Sequence, residues 1–191
     1  MTEKNKMLSG QLYNPNDKIL LEERHRARII FQKINSLSDD QKKERKKLIY
    51  KLLTSANKNL WIEPPFYCDY GYNIKTGKNV FMNFNCCILD VMEVKIGDNV
   101  MLGPNVHIYT ATHPIDIKTR NSWLEFAKPI SIGNDVWIGG GAIICPGVTI
   151  GNGAVIGAGS VVTKNITNDV LAVGNPARII KKIDNSDTNA L

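Results

Sequence analysis

Residues 132–167 read IGNDVW, IGGGAI, ICPGVT, IGNGAV, IGAGSV and VTKNIT, six consecutive units that each begin with a branched aliphatic residue. The second place is glycine in four of the six, and the fifth is Val, Ala, Val, Ala, Ser and Ile. An α-helix of 3.6 residues per turn would scatter the leading aliphatics around its whole circumference. A period of six suits short strands joined by tight turns, and the Gly, Asn and Asp of each unit supply the small or left-handed residues that turns need. A lone unit buries almost nothing, so the units must stack, at roughly 4.8 Å per layer, into a solenoid with a continuous aliphatic interior. The pattern predicts a parallel β-helix.

The same beat is visible upstream. TGKNVF, MNFNCC and ILDVME run from Thr76, and IGDNVM and LGPNVH follow after Val94 and Lys95 shift the frame. The beat then fails at YTATHPID, residues 109–116. Ile108 and Ile132 both open units and lie 24 residues apart, four full periods, although the residues between them do not fit the pattern. A loop over 109–129 is expected to leave the coil and return in register. Loops held on a rigid scaffold are common places for chemistry. Of the three histidines, His25 falls on a predicted helix, His107 ends a regular unit, and His113 alone lies in the excursion.

Outside the repeat the chain changes character. From Asp17 to about Lys33 the apolar residues Ile19, Leu20, Ala27, Ile30 and Phe31 recur at helical spacing. A second helix is expected after Ser38, which has Gln41 three residues on as a capping box, with Leu48, Ile49, Leu52 and Leu53 as its apolar side. WIEPP at 61–65 ends helical structure, because proline lacks the amide hydrogen and restricts its predecessor. The expected organisation is a helical segment at 1–60, a β-helix at 61–171 with the inserted loop, and a short C-terminal helix and tail at 172–191.

The net charge of +6 does not point to nucleic acid. Residues 1–60 hold 14 Lys and Arg against 7 Asp and Glu, whereas residues 61–191 hold 10 against 11. The excess is concentrated in QKKERKK at 41–47, which reads as a solvated helix face without aromatic interleaving. No stretch approaches the roughly 18 apolar residues of a membrane span, and MTEKNKMLSG lacks a signal peptide's apolar stretch, so a cytoplasmic protein is expected. The cysteines Cys68, Cys86, Cys87 and Cys145 form no C-x-x-C pair and lie near no histidine at zinc-finger spacing. They read as buried free thiols.

KMLSGQLY at 6–13, IEPPFYCDYGYNI at 62–74, YTATHPID, NDVWIGGGAIICPGVTIG at 134–151, and VVTKN followed by GNPARIIKKI at the end together resemble the maltose and galactoside O-acetyltransferase branch of the hexapeptide-repeat acyltransferases. The resemblance implies a left-handed β-helix, against the local rule that parallel crossovers are right-handed in about 98% of cases. It also implies a homotrimer with sites between subunits. Acetyl-CoA would be the co-substrate, with no metal required, and a sugar hydroxyl the acceptor.

A thioester needs no activation, but the attacking hydroxyl must lose its proton, a task for an imidazole with a reference pKa of about 6.5. The resemblance assigns it to His113. A backbone amide at Gly140 would stabilise the tetrahedral oxyanion; glycine carries no hydroxyl where some relatives have serine. Asp17, Arg24, Asp69, Asn83, Asp90 and Glu125 match sugar-side positions, although on the residues alone Asp17 reads rather as a helix cap and Asn83 as a turn residue. Asp69 and Val91 stand where galactoside enzymes carry serine and aspartate, and CDYGYNI is closer to the maltose branch. Trp137, Gly140, Ala158, Thr163 and Lys164 match the acetyl-CoA side; Arg178 and Lys181, three apart in the expected C-terminal helix, match its phosphate end.

Three other readings remain open at the level of sequence. An acyltransferase of the same fold could act on an amino sugar or on a xenobiotic such as chloramphenicol. A metal enzyme of the carbonic anhydrase type needs three histidines on one metal. A non-catalytic solenoid could bind partners through its faces.

Overall fold

The computed structural model describes residues 1–57 and 59–184, and in it the period of six becomes a three-sided prism of parallel coils. The first face stacks Leu60–Ile62, Val80–Met82, Met101–Leu102, Trp137–Ile138, Val155–Ile156 and Val170–Val173. The second stacks Phe66–Cys68, Cys86–Leu89, His107–Tyr109, Ile143–Ile144 and Val161–Val162. The third stacks Ile74–Thr76, Val94–Ile96, Ile130–Ile132 and Thr149–Ile150, with Ile166 bridged to Ile150 beyond them. The register sets each inward residue over another: Cys68 on Ile88, Ile88 on Ile108, Ile108 on Ile144, Ile144 on Val162. These side chains point inward and form one buried core.

The corners explain the polar places of the unit. Asn79, Asn85, Asn99, Asn105 and Asp135 all have positive φ, as do Gly141, Gly147, Gly153 and Gly159 at the same place of later units. Asparagine is among the side chains that tolerate this conformation, and here it is used twice over. Asn79 Nδ2 donates to Asn99 Oδ1 at 3.0 Å, and Asn99 Nδ2 to Asp135 Oδ1 at 2.8 Å, which ties successive coils together. The second-place glycine has another cause: a Cβ built on Gly103 would lie 2.6 Å from the Gly140 nitrogen of the next coil.

Between the second and third faces the chain departs from the regular turn three times at one edge. Residues 69–73, residues 90–93 and the loop 109–129 occupy that corner in successive coils. The two-residue frame shift seen in the sequence at Val94 and Lys95 is absorbed by the second of these departures, residues 90–93, while Val94 and Lys95 themselves lie in the third-face strand. Across the 24 residues from Ile108 to Ile132 the coil advances by only one strand, and the remainder forms the excursion.

Helices α1 (Glu3–Leu8), α2 (Lys18–Ser36) and α3 (Lys42–Leu52) precede the coil. Asp17 caps α2, its Oδ1 accepting from the Ile19 and Leu20 amides at 3.0 and 3.3 Å. Ser38 and Gln41 form the expected capping box, which opens a short 3-10 turn leading into α3. Leu20, Ala27, Ile30 and Ile34 of α2 are buried, as are Leu48, Ile49, Leu52 and Leu53 at the end of α3. The basic run is not wholly a solvated face: Arg45 is buried and donates through Nη2 to the carbonyls of Leu37 and Ser38, closing the link between the helices.

The C-terminal helix expected after Pro176 is not formed. Arg178–Lys182 is a strand, antiparallel to Val170–Val173. The last coil leaves the hydrogen-bonding edge of Val170–Val173 open, and filling it outweighs the helical preference of so short a segment. A register shift lets Arg178 pair with Val173 and Lys181 with Leu171. Since Leu171 and Val173 are two apart on one strand, the bulge returns both cations to one side. The tail from 185 lies outside the described residues. Among the described residues no helix is long and apolar enough to cross a membrane.

Candidate active site

The triple departure at one corner builds a cavity of about 390 Å³, lined by Arg24, Asp69, His113, Trp123 and Glu125, with Tyr13, Pro15, Asn16, Arg28, Leu89, Val91 and Ala111 completing the walls. Each wall is fixed by its own local structure. His113 follows Ala111–Thr112, which pairs antiparallel with Phe126–Ala127 so that the base of the loop is a two-stranded ribbon. Thr110 is fully buried beneath it, donating from Oγ1 to the Leu89 carbonyl at 2.7 Å and accepting there from the Met92 amide at 3.0 Å. The loop is thereby tied to the coil below, while His113 itself stands exposed.

Glu125 returns from the loop beside the N-terminal segment. The Tyr13 amide donates to the Glu125 carbonyl at 2.9 Å, the Glu125 amide to the Tyr13 carbonyl at 3.1 Å, and Tyr13 Oη to Glu125 Oε2 at 2.8 Å. Arg24 reaches in from α2, with Nη1 donating to Tyr70 Oη at 2.7 Å and Nη2 to the Pro15 carbonyl. Burial pushes the Asp69 carboxyl up to about 6, against the pull of the Arg24 guanidinium. A group so poised in a cleft is a common mark of function, and here it shares the cavity with an exposed imidazole.

Asp90 does not belong among the sugar-facing residues. Its side chain is fully buried, Oδ1 accepting from the Asp69 and Tyr70 amides and Oδ2 from those of Gly71 and Asn73. It shapes the turn that presents Asp69, with no oxygen at the cavity wall. Asp17 is the cap of α2, and Asn83 accepts from the Phe84 amide at 2.7 Å as a turn residue; neither lines this cavity. Tyr13, Arg28 and Trp123 line it without having been anticipated. Trp123 was the detectable one, an indole within the loop.

The residues expected at the acetyl-CoA end lie elsewhere. Gly140 and Ala158 occupy the corner between the first and second faces, where the Gly159 amide donates to the Gly140 carbonyl at 2.9 Å. Asn83 lies at the same corner, and Trp137 is exposed on the first face next to it. Arg178 and Lys181 flank the end of that face. Thr163 and Lys164 are at the other corner, two coils beyond the loop. The cavity of His113 contains none of them, so one chain does not assemble the whole constellation. His107 is not a companion of His113: it lies on the second face, its Nδ1 hydrogen-bonded to Tyr109 Oη.

The chain is similar to known proteins along most of its length. Residues 6–56 match the model for the maltose acetyltransferase hexapeptide capping motif, and residues 129–164 match six repeats of the bacterial transferase hexapeptide, whose coil is left-handed. The crystal structure of a maltose O-acetyltransferase from Clostridium difficile 630 is similar at 52% identity and a TM-score of 0.95, covering 96% of this chain and 98% of that one. A galactoside acetyltransferase in complex with coenzyme A is similar at 39% identity and a TM-score of 0.95, covering 100% of this chain and 95% of the other. A relative from Dictyostelium discoideum is 51% identical over 183 residues, 96% of this chain and 95% of its own length.

Proposed function

Since the chain belongs to the maltose and galactoside O-acetyltransferase family of hexapeptide-repeat enzymes, we propose that it transfers the acetyl group of acetyl-CoA to a hydroxyl of glucose, maltose or a related glycoside, the hydroxyl at C6. The observation that carries this reading is the cavity that His113 lines together with Arg24, Asp69 and Glu125. His113 takes the hydroxyl proton as the sugar oxygen attacks the thioester carbonyl. The tetrahedral oxyanion meets the Gly140 amide; its collapse breaks the C–S bond, and the imidazolium returns the proton to the departing thiolate. Carboxylates and a guanidinium on the cavity wall suit recognition of neighbouring hydroxyls, which both donate and accept.

The separation of His113 from Gly140 and Ala158 supports a site closed by a second copy of the chain. Outward side chains favour the same assembly. The first face presents Trp61, Phe81, Met101, Trp137 and Val155, and the second Tyr67, Cys87, His107, Ile143 and Val161. The third presents Lys75, Lys95, Ser131 and Thr149. Two different apolar faces and one polar face suit a closed ring of heterologous contacts, here three prisms. The acetyl-CoA arm then runs from Gly140 past Ala158 toward the cations of Arg178 and Lys181.

Incubation with acetyl-CoA and a panel of maltose, glucose, galactosides, amino sugars and chloramphenicol, read by thiol release, tests the reaction. Glucose-type acceptors should give the highest kcat/KM. Preference for an amine or for chloramphenicol would replace this acceptor, and no release with any sugar would overturn the reading.

A further inference from the structure

We propose that the loop carries a second acceptor subsite on the far side of His113, in which Trp123 is the platform for the glycoside ring adjoining the one that is acetylated. The inference rests on the acceptor class proposed above. Two cavities meet at His113 and Trp123. One is the carboxylate-bearing cavity already described; the other, of about 360 Å³, is lined by His113, Arg120, Asn121 and Trp123. A glycoside whose reacting hydroxyl reaches His113 can therefore extend from the first into the second. The second is large enough for one further ring.

Its lining matches a ring face. A pyranose presents C–H groups on its faces and hydroxyls at its rim. Trp123 offers an indole that is 75% exposed, while Arg120 and Asn121 supply polar groups for the rim. The guanidinium is anchored by the bond from Arg120 Nη1 to the Ile115 carbonyl at 2.6 Å. Helix α4 (Ile117–Arg120) is capped by Asp116, whose Oδ1 accepts from the Thr119 amide at 2.8 Å, so the platform stands on an ordered turn.

The backbone points the same way. Trp123 follows the end of α4 with φ of 63°, a conformation that glycine adopts freely and that a bulky side chain adopts only at a cost. A mostly exposed indole gains little packing in return. Such outliers concentrate at ligand clamps, where strain is retained for what the side chain does.

Comparison of the wild-type chain with Trp123→Gly and Trp123→Phe tests this. KM for maltose should rise about tenfold in Trp123→Gly and less in Trp123→Phe, a loss about fivefold larger than that for glucose, which meets Trp123 only at the wall of the first cavity, while the KM for acetyl-CoA stays within about twofold. The melting temperature of Trp123→Gly should equal or exceed that of the wild type, since glycine relieves the left-handed strain. Calorimetric maltose binding, read without turnover, should weaken in parallel. Equal losses for glucose and maltose, a raised KM for acetyl-CoA, or a lowered melting temperature or altered oligomeric mass would each overturn the subsite. If the wild type binds maltose and Trp123→Gly binds it equally, the subsite fails while the acceptor class stands. A wild type that neither binds nor acetylates any sugar would overturn both.

Discussion

His113 is the residue on which the proposed chemistry turns, and its exposure on a loop tied down at both ends makes it a clean target. Replacing it by alanine should lower kcat by about 100-fold or more without altering folding or oligomeric mass. Unchanged acetyl transfer would remove it from the mechanism. Asp69 yields a pH-dependent expectation. Its folded carboxyl titrates at about 6, against about 3.9 in an unfolded chain, so folding takes up a proton between those values. The stability it contributes is complete below about pH 4 and is lost as pH rises through 6. Asp69→Asn should therefore match the wild type in denaturant unfolding near pH 4 and exceed it at pH 7, by about 3 kcal/mol. A difference between the two proteins that does not vary with pH would refute the assignment. Asp90 marks a limit of sequence reasoning at this scale. A carboxylate that meets sugar and one that binds four amides are alike in sequence, and only the turn beneath Asp69 distinguishes them.

At the scale of the element, the hexad was legible because its requirements are local. The inward aliphatic, the left-handed Asn or Gly and the second-place glycine each recur within one unit. Gly103 and Gly159 separate the last two requirements. Alanine at Gly103 would press its Cβ against the backbone of Gly140, whereas at Gly159 it would meet open space and suffer only from a φ of 68°. Gly103→Ala should thus destabilise by about 1–3 kcal/mol, and Gly159→Ala by roughly 1 kcal/mol. Thermal melts should rank them so, and equal effects would argue against close coil packing as the cause. Where a segment's fate depends on a distant edge, sequence misled. ARIIKK has an acceptable helical composition, but the open backbone of Val170–Val173 claims it as a strand. Helix α1 is only six residues long, too short to show a period.

At the scale of the whole molecule, the repeat and the loop were readable from the residues, whereas a site closed between subunits was implied by the family resemblance alone, because it depends on where two corners of the prism are brought to meet. The corner with His113 and the corner with Gly140 and Ala158 flank the second face on opposite sides. In the proposed ring of three, His113 of one subunit would face the Gly140 corner of the next, and each site would draw on two chains. Ala158 is exposed, which allows Ala158→Glu to fold while placing a negative charge in the path of an anionic co-substrate. His113→Ala and Ala158→Glu should each be inactive alone. Co-expressed in equal amounts they should form mixed trimers, in which a site is intact when an Ala158→Glu chain supplies its histidine and a His113→Ala chain supplies its alanine. Random assembly makes that so for roughly a quarter of sites. Activity should then recover to about a quarter of the wild-type level per trimer. If each chain held its own complete site, no mixture would exceed the sum of its parents, and that outcome would exclude sites shared between subunits.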